Sequence, residues 1–184
     1  MSERRRAVFL DRDGTLNYPV VREGRPYPPA SLAEMELIPF AREVCANLRA
    51  SGYLLILVTN QPDIARGSQT LSAVNEMNGW MQQELSLDDV WLCPHDSGDG
   101  CLCRKPSPGM LTQAANLWNI NLAESFMVGD RWRDIEAGRR AGCRTVLIDY
   151  QYDEQRAAGY DQATPDLVGA AEWILSTNHP VEKQ

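Results

Sequence analysis

The feature that most constrains the fold is an almost wholly apolar run, YLLILVT, at residues 53–59. It is too short for a membrane span, and its unbroken apolar character is typical of a strand buried on both faces. Shorter apolar runs recur along the chain, separated by amphipathic stretches with helical spacing. We therefore predict an α/β fold: a doubly wound, Rossmann-like parallel sheet with helices on both faces.

The other elements follow from apolar runs, helical spacing and turn residues. Further strands are predicted at residues 7–10, 90–92, 126–128 and 145–148. Helices are predicted at residues 40–50, 71–85, 109–118, 134–141 and 169–175. Long loops are predicted at residues 14–38, which are rich in Pro and Gly, and at 93–108. We expect residues 1–184 to form one domain that ends in a polar tail from about 176 to 184.

Charge and hydropathy argue against two classes of partner. The chain has 25 acidic and 18 basic side chains and a formal net charge of -7, so no general affinity for nucleic acid or for a membrane is expected. The apolar stretch after the basic start ends at Asp11, which makes it too short for a signal peptide. We expect a cytoplasmic protein whose size suits a monomer.

Pairs of polar residues stand where three predicted strands end. They are Asp11 and Asp13, Thr59 and Asn60, and Asp130 and Asp134. The carboxyl ends of parallel strands lie at one edge of a sheet, where such folds bind their ligands. We therefore expect these side chains to converge on one site.

Several carboxylates at one site repel one another unless a cation lies among them. Oxygen ligands suit Mg²⁺, which takes one or two carboxylates and keeps water and substrate phosphate. An aspartate there also suits attack on phosphorus, with Thr59, Asn60 and Lys105 as phosphoryl-binding groups. Each motif has an ordinary alternative: residues 11–15 as a turn, Thr59 and Asn60 as a cap, and Lys105 with Arg104 as a surface pair.

A second cluster combines cysteine with histidine. Its members lie within eleven residues and are Cys93, His95, Cys101 and Cys103. Three thiolates and one imidazole form the closed tetrahedral set of a structural Zn²⁺, and a loop with free thiols is the alternative. Because the loop runs directly into Arg104 and Lys105, zinc would brace the phosphate-binding cation. Cys45 and Cys143 adjoin apolar segments and are expected to be buried thiols, while His179 has no visible partner.

Taken together, the motifs resemble the haloacid dehalogenase (HAD) superfamily of phosphatases. The resemblance covers residues 7 to about 148 and rests on four motifs in order: Asp11-x-Asp13-Gly-Thr, Thr59-Asn60, Lys105-Pro106 and Gly129-Asp130-x-x-x-Asp134. All four stand at predicted strand ends or in the loops that follow them, which makes the signal specific.

The resemblance implies a role for each motif residue. Asp11 would be the nucleophile that forms an aspartyl-phosphate, and Asp13 would protonate the leaving alcohol and then activate water. Asp11, the backbone carbonyl of Asp13 and Asp130 would hold Mg²⁺. Asp134 would support the metal through water or orient Lys105. The transferring phosphoryl group would be bound by Thr59, Asn60 and Lys105.

The zinc loop narrows the resemblance to a subfamily that includes phosphatases of heptose bisphosphate and of histidinol phosphate. The shared stretches are FLDRDGTLN (9–17), TNQPDIARG (59–67), CPHDSGDGCLCRKPSPGM (93–110) and VGDRWRD (128–134). About 45 residues separate Asp13 from Thr59, and the predicted helix and strand use much of that stretch, so we expect an open site without a large cap domain and a small sugar phosphate as substrate. Asn17, Arg66 and Arg104 would reach sugar hydroxyls or a second phosphate, although Arg66 could equally be a surface charge.

The expected substrate is D-glycero-D-manno-heptose 1,7-bisphosphate, which would lose its 7-phosphate. Histidinol phosphate, with one phosphate and a cationic amine, is the alternative, but Arg12, Arg66 and Arg104 favour the doubly anionic sugar. One departure is Pro62 with Asp63, where the subfamily has Ser-Gly. This change would alter the loop shape and place a carboxylate near the phosphate.

Three other functions fit the sequence less well. A nucleic-acid 3′-phosphatase is disfavoured by the net charge and the lack of a basic stripe. A non-catalytic sensor of sugar phosphates would not need both Asp11 and Asp13. A zinc-dependent interaction module would explain the cysteines but would leave the four convergent motifs unexplained.

Overall fold

The computed structural model describes residues 4–22 and 25–177. The predicted polar tail beyond Thr177, with His179, lies outside the described residues, as do residues 1–3 of the basic start. Within the described ranges, no helix has the length and apolar character needed to cross a membrane.

The strands form one large parallel sheet and one small antiparallel pair. They are β1 (Arg6–Leu10), β2 (Val20–Arg22), β3 (Arg25–Tyr27), β4 (Tyr53–Asn60), β5 (Asp89–Cys93), β6 (Phe126–Gly129), β7 (Arg144–Ile148) and β8 (Gln162–Thr164). The large sheet has the order β5-β4-β1-β6-β7-β8, and every neighbouring pair is parallel. The chain therefore reverses its direction of progress at β1, which creates a crevice beside the carboxyl end of that strand.

In the described part of the chain, five α-helices cover the sheet in two layers. They are α1 (Ala41–Ala50), α2 (Leu71–Glu84), α3 (Gly109–Trp118), α4 (Trp132–Ala141) and α5 (Leu167–Ser176). Side chains of α1, α5 and the end of α2 pack on one face, and those of α3 and α4 pack on the other. Along β4, Leu55 and Leu57 enter the first core, whereas Leu54 and Ile56 enter the second. Burial on both faces explains the unbroken apolar run, and the predicted doubly wound sheet is confirmed.

Residues 14–38 differ from the predicted long loop. They contain the hairpin of β2 and β3 and a 3-10 helix at Leu32–Glu34. The strands are too short, and one contains Pro26, so no alternating pattern marks them. Among the described residues between β1 and β4, these elements and α1 are the only regular structure, which leaves no room for a large cap domain.

The carboxyl-terminal third also departs from prediction at three places. β8 is a three-residue strand without an apolar run, so it was not predicted. Helix α5 begins at Leu167, because the Asp166 carboxylate accepts a hydrogen bond of 2.8 Å from the Gly169 N–H and caps it. Helix α4 begins at Trp132, two residues before the predicted start.

Candidate active site

The centre of the site is a buried lysine between two carboxylates. Asp11 follows the last residue of β1, and its Oδ1 accepts a hydrogen bond of 2.5 Å from Lys105 Nζ. The same ammonium lies 2.6 Å from Asp134 Oδ1 and donates to the Val58 carbonyl at 2.7 Å. All three Lys105 N–H groups thus have an acceptor, so an ammonium that is only 2% exposed can stay charged.

Two glycines allow the acidic residues to come so close. Gly14 has a φ of 88°, and a Cβ there would lie 2.0 Å from Asp130 Oδ2. A Cβ on Gly129, the last residue of β6, would lie 2.3 Å from the Cβ of Asp134. Each motif therefore needs glycine at this position, because a side chain would collide with the neighbouring aspartate.

Asp134 also starts helix α4. It is the third residue of the helix, and its Oδ2 accepts a hydrogen bond of 3.1 Å from the Arg131 N–H. This contact satisfies one of the free N–H groups at the helix start and fixes the carboxylate that holds Lys105. The helix begins before Asp134 for this reason.

The electrostatics of the cluster reflect too many buried carboxylates for one ammonium. Burial raises the pKa of Asp11 to about 7, with the Lys105 charge acting in the lowering direction and Asp134 in the raising direction. Burial, then repulsion from Asp11 and Asp134, raises the pKa of Asp130 well above its ordinary value. Burial acts to lower the pKa of Lys105, but the Asp11 and Asp134 charges outweigh it and the net shift is upward.

A divalent cation fits this donor set. Carboxylate oxygens of Asp11, Asp130 and Asp134 lie within 4.8 Å of one another. Asp130 Oδ1 is buried and has no hydrogen-bond partner among the described residues, whereas both oxygens of Asp134 already accept hydrogen bonds. The arrangement suits Asp11 and Asp130 as direct ligands of Mg²⁺, with Asp134 orienting Lys105.

Asp13 is held in one orientation by three side chains. Arg12 donates to both of its oxygens at 3.0–3.2 Å, Asn17 donates to Oδ1 at 3.0 Å, and Gln61 donates to Oδ2 at 2.8 Å. Burial acts to raise the pKa of Asp13, but the Arg12 charge and these hydrogen bonds together lower it below its ordinary value. Asn17, predicted to reach the substrate, is fully buried and lies beneath Asp13.

The Thr-Asn motif supports the site from below. The Asn60 side chain donates to the Lys105 carbonyl and accepts from the Lys105 N–H, both at 3.0 Å. It thereby fixes the backbone that presents Lys105. Thr59 is 1% exposed, and its hydroxyl oxygen accepts a hydrogen bond of 2.8 Å from Gln61.

A cavity of about 360 Å³ opens above the cluster. Its walls include Tyr27 of the hairpin, Asp63 of the loop after β4 and four arginines, which are Arg66, Arg104, Arg131 and Arg133. Arg66 pairs with Asp96 of the zinc loop at 2.7 Å and lies 3.5 Å from Asp63. Arg131 pairs with Glu154 at 3.2 Å.

The other two cavity arginines carry their charge without a carboxylate within 4 Å among the described side chains. Arg104 donates to the His95 carbonyl at 3.0 Å, and the Arg133 guanidinium lies 4.8 Å from the ring centre of Trp132. Burial, then repulsion from Arg104, lowers the pKa of Arg133. Both guanidinium groups face the cavity and lack a carboxylate partner among the described side chains. An anionic ligand between them is therefore favoured.

Sequence reasoning missed Gln61, Arg133 and the contact of Arg12 with Asp13. Arg12, expected to favour a doubly anionic sugar, is fully buried on Asp13 and Asn78 and is not among the described residues that line the cavity. Gln61 and Arg12 adjoin recognised motif residues, which is a usable signal. Arg133 precedes the helix predicted at residues 134–141 and belongs to no recognised motif position, and the structure places it in the first turn of α4, where it lines the cavity.

The predicted zinc ligands come together in the loop after β5. Cys93 Sγ lies 3.1 Å from Cys103 Sγ and 3.7 Å from Cys101 Sγ, and His95 Nδ1 lies 3.3 Å from Cys103 Sγ. All four ligand atoms lie within 4.8 Å of one another. Thiolates that share a zinc at about 2.3 Å lie about 3.8 Å apart, so the cluster has the dimensions of a Cys₃His site.

The fold and the buried acid–lysine cluster at its reversal point define the class of protein: a HAD-type hydrolase. A family model described as HAD-hydrolase-like matches residues 102–171. A D-glycero-beta-D-manno-heptose-1,7-bisphosphate 7-phosphatase of Yersinia pestis is 35% identical, with 93% of this chain and 90% of the relative covered. The phosphatase of the same name from Pasteurella multocida is 41% identical, with coverage of 78% and 82%.

Comparison with solved structures supports the same family as the sequence relatives. The crystal structure of D,D-heptose 1,7-bisphosphate phosphatase from B. bronchiseptica, complexed with magnesium and phosphate, matches with a TM-score of 0.80 and 30% identity. That match covers 94% of this chain and 99% of the other. The chain therefore belongs to the HAD superfamily, within the family of the heptose-1,7-bisphosphate 7-phosphatases.

Proposed function

We propose that the protein hydrolyses the 7-phosphate of D-glycero-D-manno-heptose 1,7-bisphosphate. The observation that carries this proposal is the meeting of Asp11, Lys105 and Asp130 in one buried cluster, in a chain that matches phosphatases of that substrate along 93% of its length. Nothing in the geometry favours histidinol phosphate. We also propose that the protein acts in the cytoplasm and as a monomer. The monomer is supported by the meeting of Asp11, Lys105 and Asp130 within a single chain, so that the cluster needs no residue from a partner subunit.

Asp11 is the nucleophile in this proposal. A carboxylate oxygen of Asp11 attacks phosphorus, the P–O bond to the sugar breaks, and an aspartyl-phosphate results. Bound Mg²⁺, held by Asp11, Asp130 and the Asp13 carbonyl, would offset the negative charge of the phosphoryl oxygens. Lys105 supplies a fixed positive charge beside Asp11, while Thr59 and Asn60 complete the phosphoryl-binding pocket.

Asp13 is the general acid and base in this proposal. Before substrate binds, the Asp13 carboxylate is ionised because its pKa is lowered. This form suits the second half of the reaction, where Asp13 takes a proton from the attacking water. The first half needs a protonated Asp13 to protonate the leaving alcohol. A phosphate dianion beside Asp13 and the loss of water from the cavity both raise a carboxyl pKa, so substrate binding favours the acid form.

The second phosphate of the substrate binds between Arg104 and Arg133, the two cavity arginines that have no carboxylate partner among the described side chains. Arg104 and Arg133 repel each other across the cavity wall, and an anion between them replaces that repulsion with attraction. Arg66 retains a proposed role in binding, although its ion pairs with Asp96 and Asp63 must loosen first. Its longer contact with Asp63, at 3.5 Å, also offsets part of the charge of the carboxylate that replaces the subfamily's glycine.

The zinc site is proposed to be structural. All four ligand positions are filled by protein, so no position is left for water or substrate. The bound metal would fix the loop whose end carries Arg104 and Lys105.

The deciding experiment compares phosphate release from heptose 1,7-bisphosphate and from histidinol phosphate in the presence of Mg²⁺. We expect kcat/KM for the bisphosphate to be at least a hundredfold higher, which is about 2.7 kcal/mol of transition-state discrimination. Asp11→Asn serves as the control for contaminating phosphatases and should be inactive, because an amide is a poor nucleophile. A preference for histidinol phosphate, or full activity of Asp11→Asn, would contradict the proposal.

A further inference from the structure

The buried arginine next to the nucleophile links Asp13 to helix α2. Arg12 has no exposed surface, and its guanidinium uses Nε and Nη2 to hold Asp13. Its Nη1 donates to Oδ1 of Asn78 at 3.0 Å. Arg12 therefore stands between one residue of the active site and one residue of a helix that covers the sheet.

Asn78 is an unexpected residue at its position. It lies on the buried stripe of α2 with Val74, Met77 and Met81, and it is 2% exposed. Its Nδ2 is buried without a hydrogen-bond partner among the described residues. An unsatisfied buried donor costs about 1–3 kcal/mol, so an apolar residue of similar size would suit the packing better. The hydrogen bond to Arg12 is the contact that an apolar residue could not make.

We propose that Asn78 is a positioning residue for Asp13, acting through Arg12. Asn78 fixes the rotation of the guanidinium, and the guanidinium holds the Asp13 carboxylate in the orientation from which it protonates the leaving alcohol. The inference deepens the proposed function, because it rests on Asp13 as the group that gives its proton to the alcohol as the P–O bond breaks. Asn78 itself touches no reacting atom.

A misplaced proton donor harms poor leaving groups most. A sugar alkoxide needs a proton as it departs, whereas p-nitrophenolate departs readily without one. The parameter kcat/KM covers the steps up to departure of the alcohol, so it isolates this proton transfer from the later attack of water. The dependence of kcat/KM on the leaving group is thus a readout that a purely structural role would not change.

The test uses Asn78→Leu, which keeps the volume and removes the acceptor. With Mg²⁺ present, we expect kcat/KM for heptose 1,7-bisphosphate to fall roughly 10- to 100-fold, and for p-nitrophenyl phosphate to fall less than about threefold. The melting temperature should change little, because removal of the unsatisfied Asn78 Nδ2 offsets the loss of the acceptor for Arg12 Nη1. Asn78→Asp keeps the acceptor oxygen and should preserve the wild-type ratio of the two substrates, and Met77→Leu on the same buried stripe should do so too.

A series of aryl phosphates keeps this test separate from the proposed function. Phenyl phosphate should lose more kcat/KM than p-nitrophenyl phosphate in Asn78→Leu, whatever the natural sugar is. Equal losses on all esters, or no loss on any, would overturn the role of Asn78. Wild-type protein that cleaves aryl phosphates but not the heptose bisphosphate would instead contradict the proposed substrate alone.

Discussion

At the scale of single residues, the charge balance around Lys105 decides how the site behaves. One ammonium lies between Asp11 and Asp134, and Asp130 forms no salt bridge with any described residue. Without a metal, the fold therefore holds more negative charge than it neutralises. Burial of Asp11, opposed by the Lys105 charge and reinforced by repulsion from Asp134, raises its pKa to about 7.

This raised pKa predicts a pH-dependent stability of the chelator-treated protein. Folded Asp11 binds its proton more tightly than unfolded Asp11, so its contribution is full below about pH 4 and is lost as the pH rises through about 7. Asp11→Asn carries no charge at any pH and escapes this loss. We expect its melting temperature to exceed that of the wild type by more than about 3 °C at pH 8 and by much less at pH 5.

Thermal melts in the presence of chelator, from pH 5 to pH 8, measure this difference. Asp153→Asn, at an exposed position of the loop after β7, is the control and should follow the wild type. A gap between Asp11→Asn and wild type that does not change with pH would show that the Asp11 charge is not disfavoured in the fold.

Single residues differ in how readily the sequence reveals them. Asp11, Lys105 and Asp130 could be predicted because each follows a strand or a marked loop within a known motif. Asn78 and Arg133 could not, because their importance depends on which helical face meets a partner from a distant segment. A helix pattern predicts burial of a position but not its hydrogen-bond partner.

At the scale of elements, the zinc loop and helix α3 form a continuous support for Lys105. A Cβ on Gly109, the first residue of α3, would lie 2.0 Å from the Leu102 carbonyl oxygen, so loop and helix are in direct backbone contact. The side chain of Asn60, at the end of β4, forms two hydrogen bonds with the backbone of Lys105 in the same loop. The position of the Lys105 ammonium therefore depends on the loop keeping its shape.

Loss of zinc should loosen the site without removing a catalytic group. In Cys101→Ser we expect less bound zinc, a lower melting temperature and a higher KM, because the metal no longer fixes the loop that carries Arg104 and Lys105. Metal analysis, thermal melts and steady-state kinetics measure the three effects. Cys143→Ala, at a buried thiol outside the cluster, should retain its zinc and its KM. Full activity and stability in zinc-free Cys101→Ser would refute a bracing role.

The strands of the large sheet, other than β8, were the easiest elements to predict. Strands β1, β4, β5, β6 and β7 lie within one residue of their predicted bounds, because continuous apolar runs mark them. The hairpin of β2 and β3 and the strand β8 have no such mark, since three residues cannot show a period. The start of α4 was displaced because Asp134 acts from inside the first turn rather than ahead of it.

At the scale of the whole molecule, the two cores on either side of the sheet hold the strand ends in register. Leu55 belongs to the core beneath α1 and α5 and has no exposed surface. Leu55→Ala should cost about 2–5 kcal/mol of unfolding free energy, since it removes buried methyl groups and leaves a cavity. Denaturant unfolding measures this cost, and KM should stay close to the wild-type value.

The matched control is Leu117→Ala on α3, where the leucine is 70% exposed. It should change the unfolding free energy by less than about 0.5 kcal/mol. Equal costs for the two leucines would mean that the sheet core does not dominate stability.

The hairpin of β2 and β3 allows the cavity wall to change in evolution while the reacting groups stay in place. Asp11, Lys105 and Asp130 are anchored to the central sheet or to a braced loop, whereas Pro19, Tyr27 and Pro28 reach the cavity from the hairpin segment and carry no charge. Replacement or lengthening of this segment would reshape the cavity wall without moving the reacting groups. The natural drift of such a protein toward a new phosphate ester would thus begin at residues 19–28, and a directed-evolution library is best concentrated there.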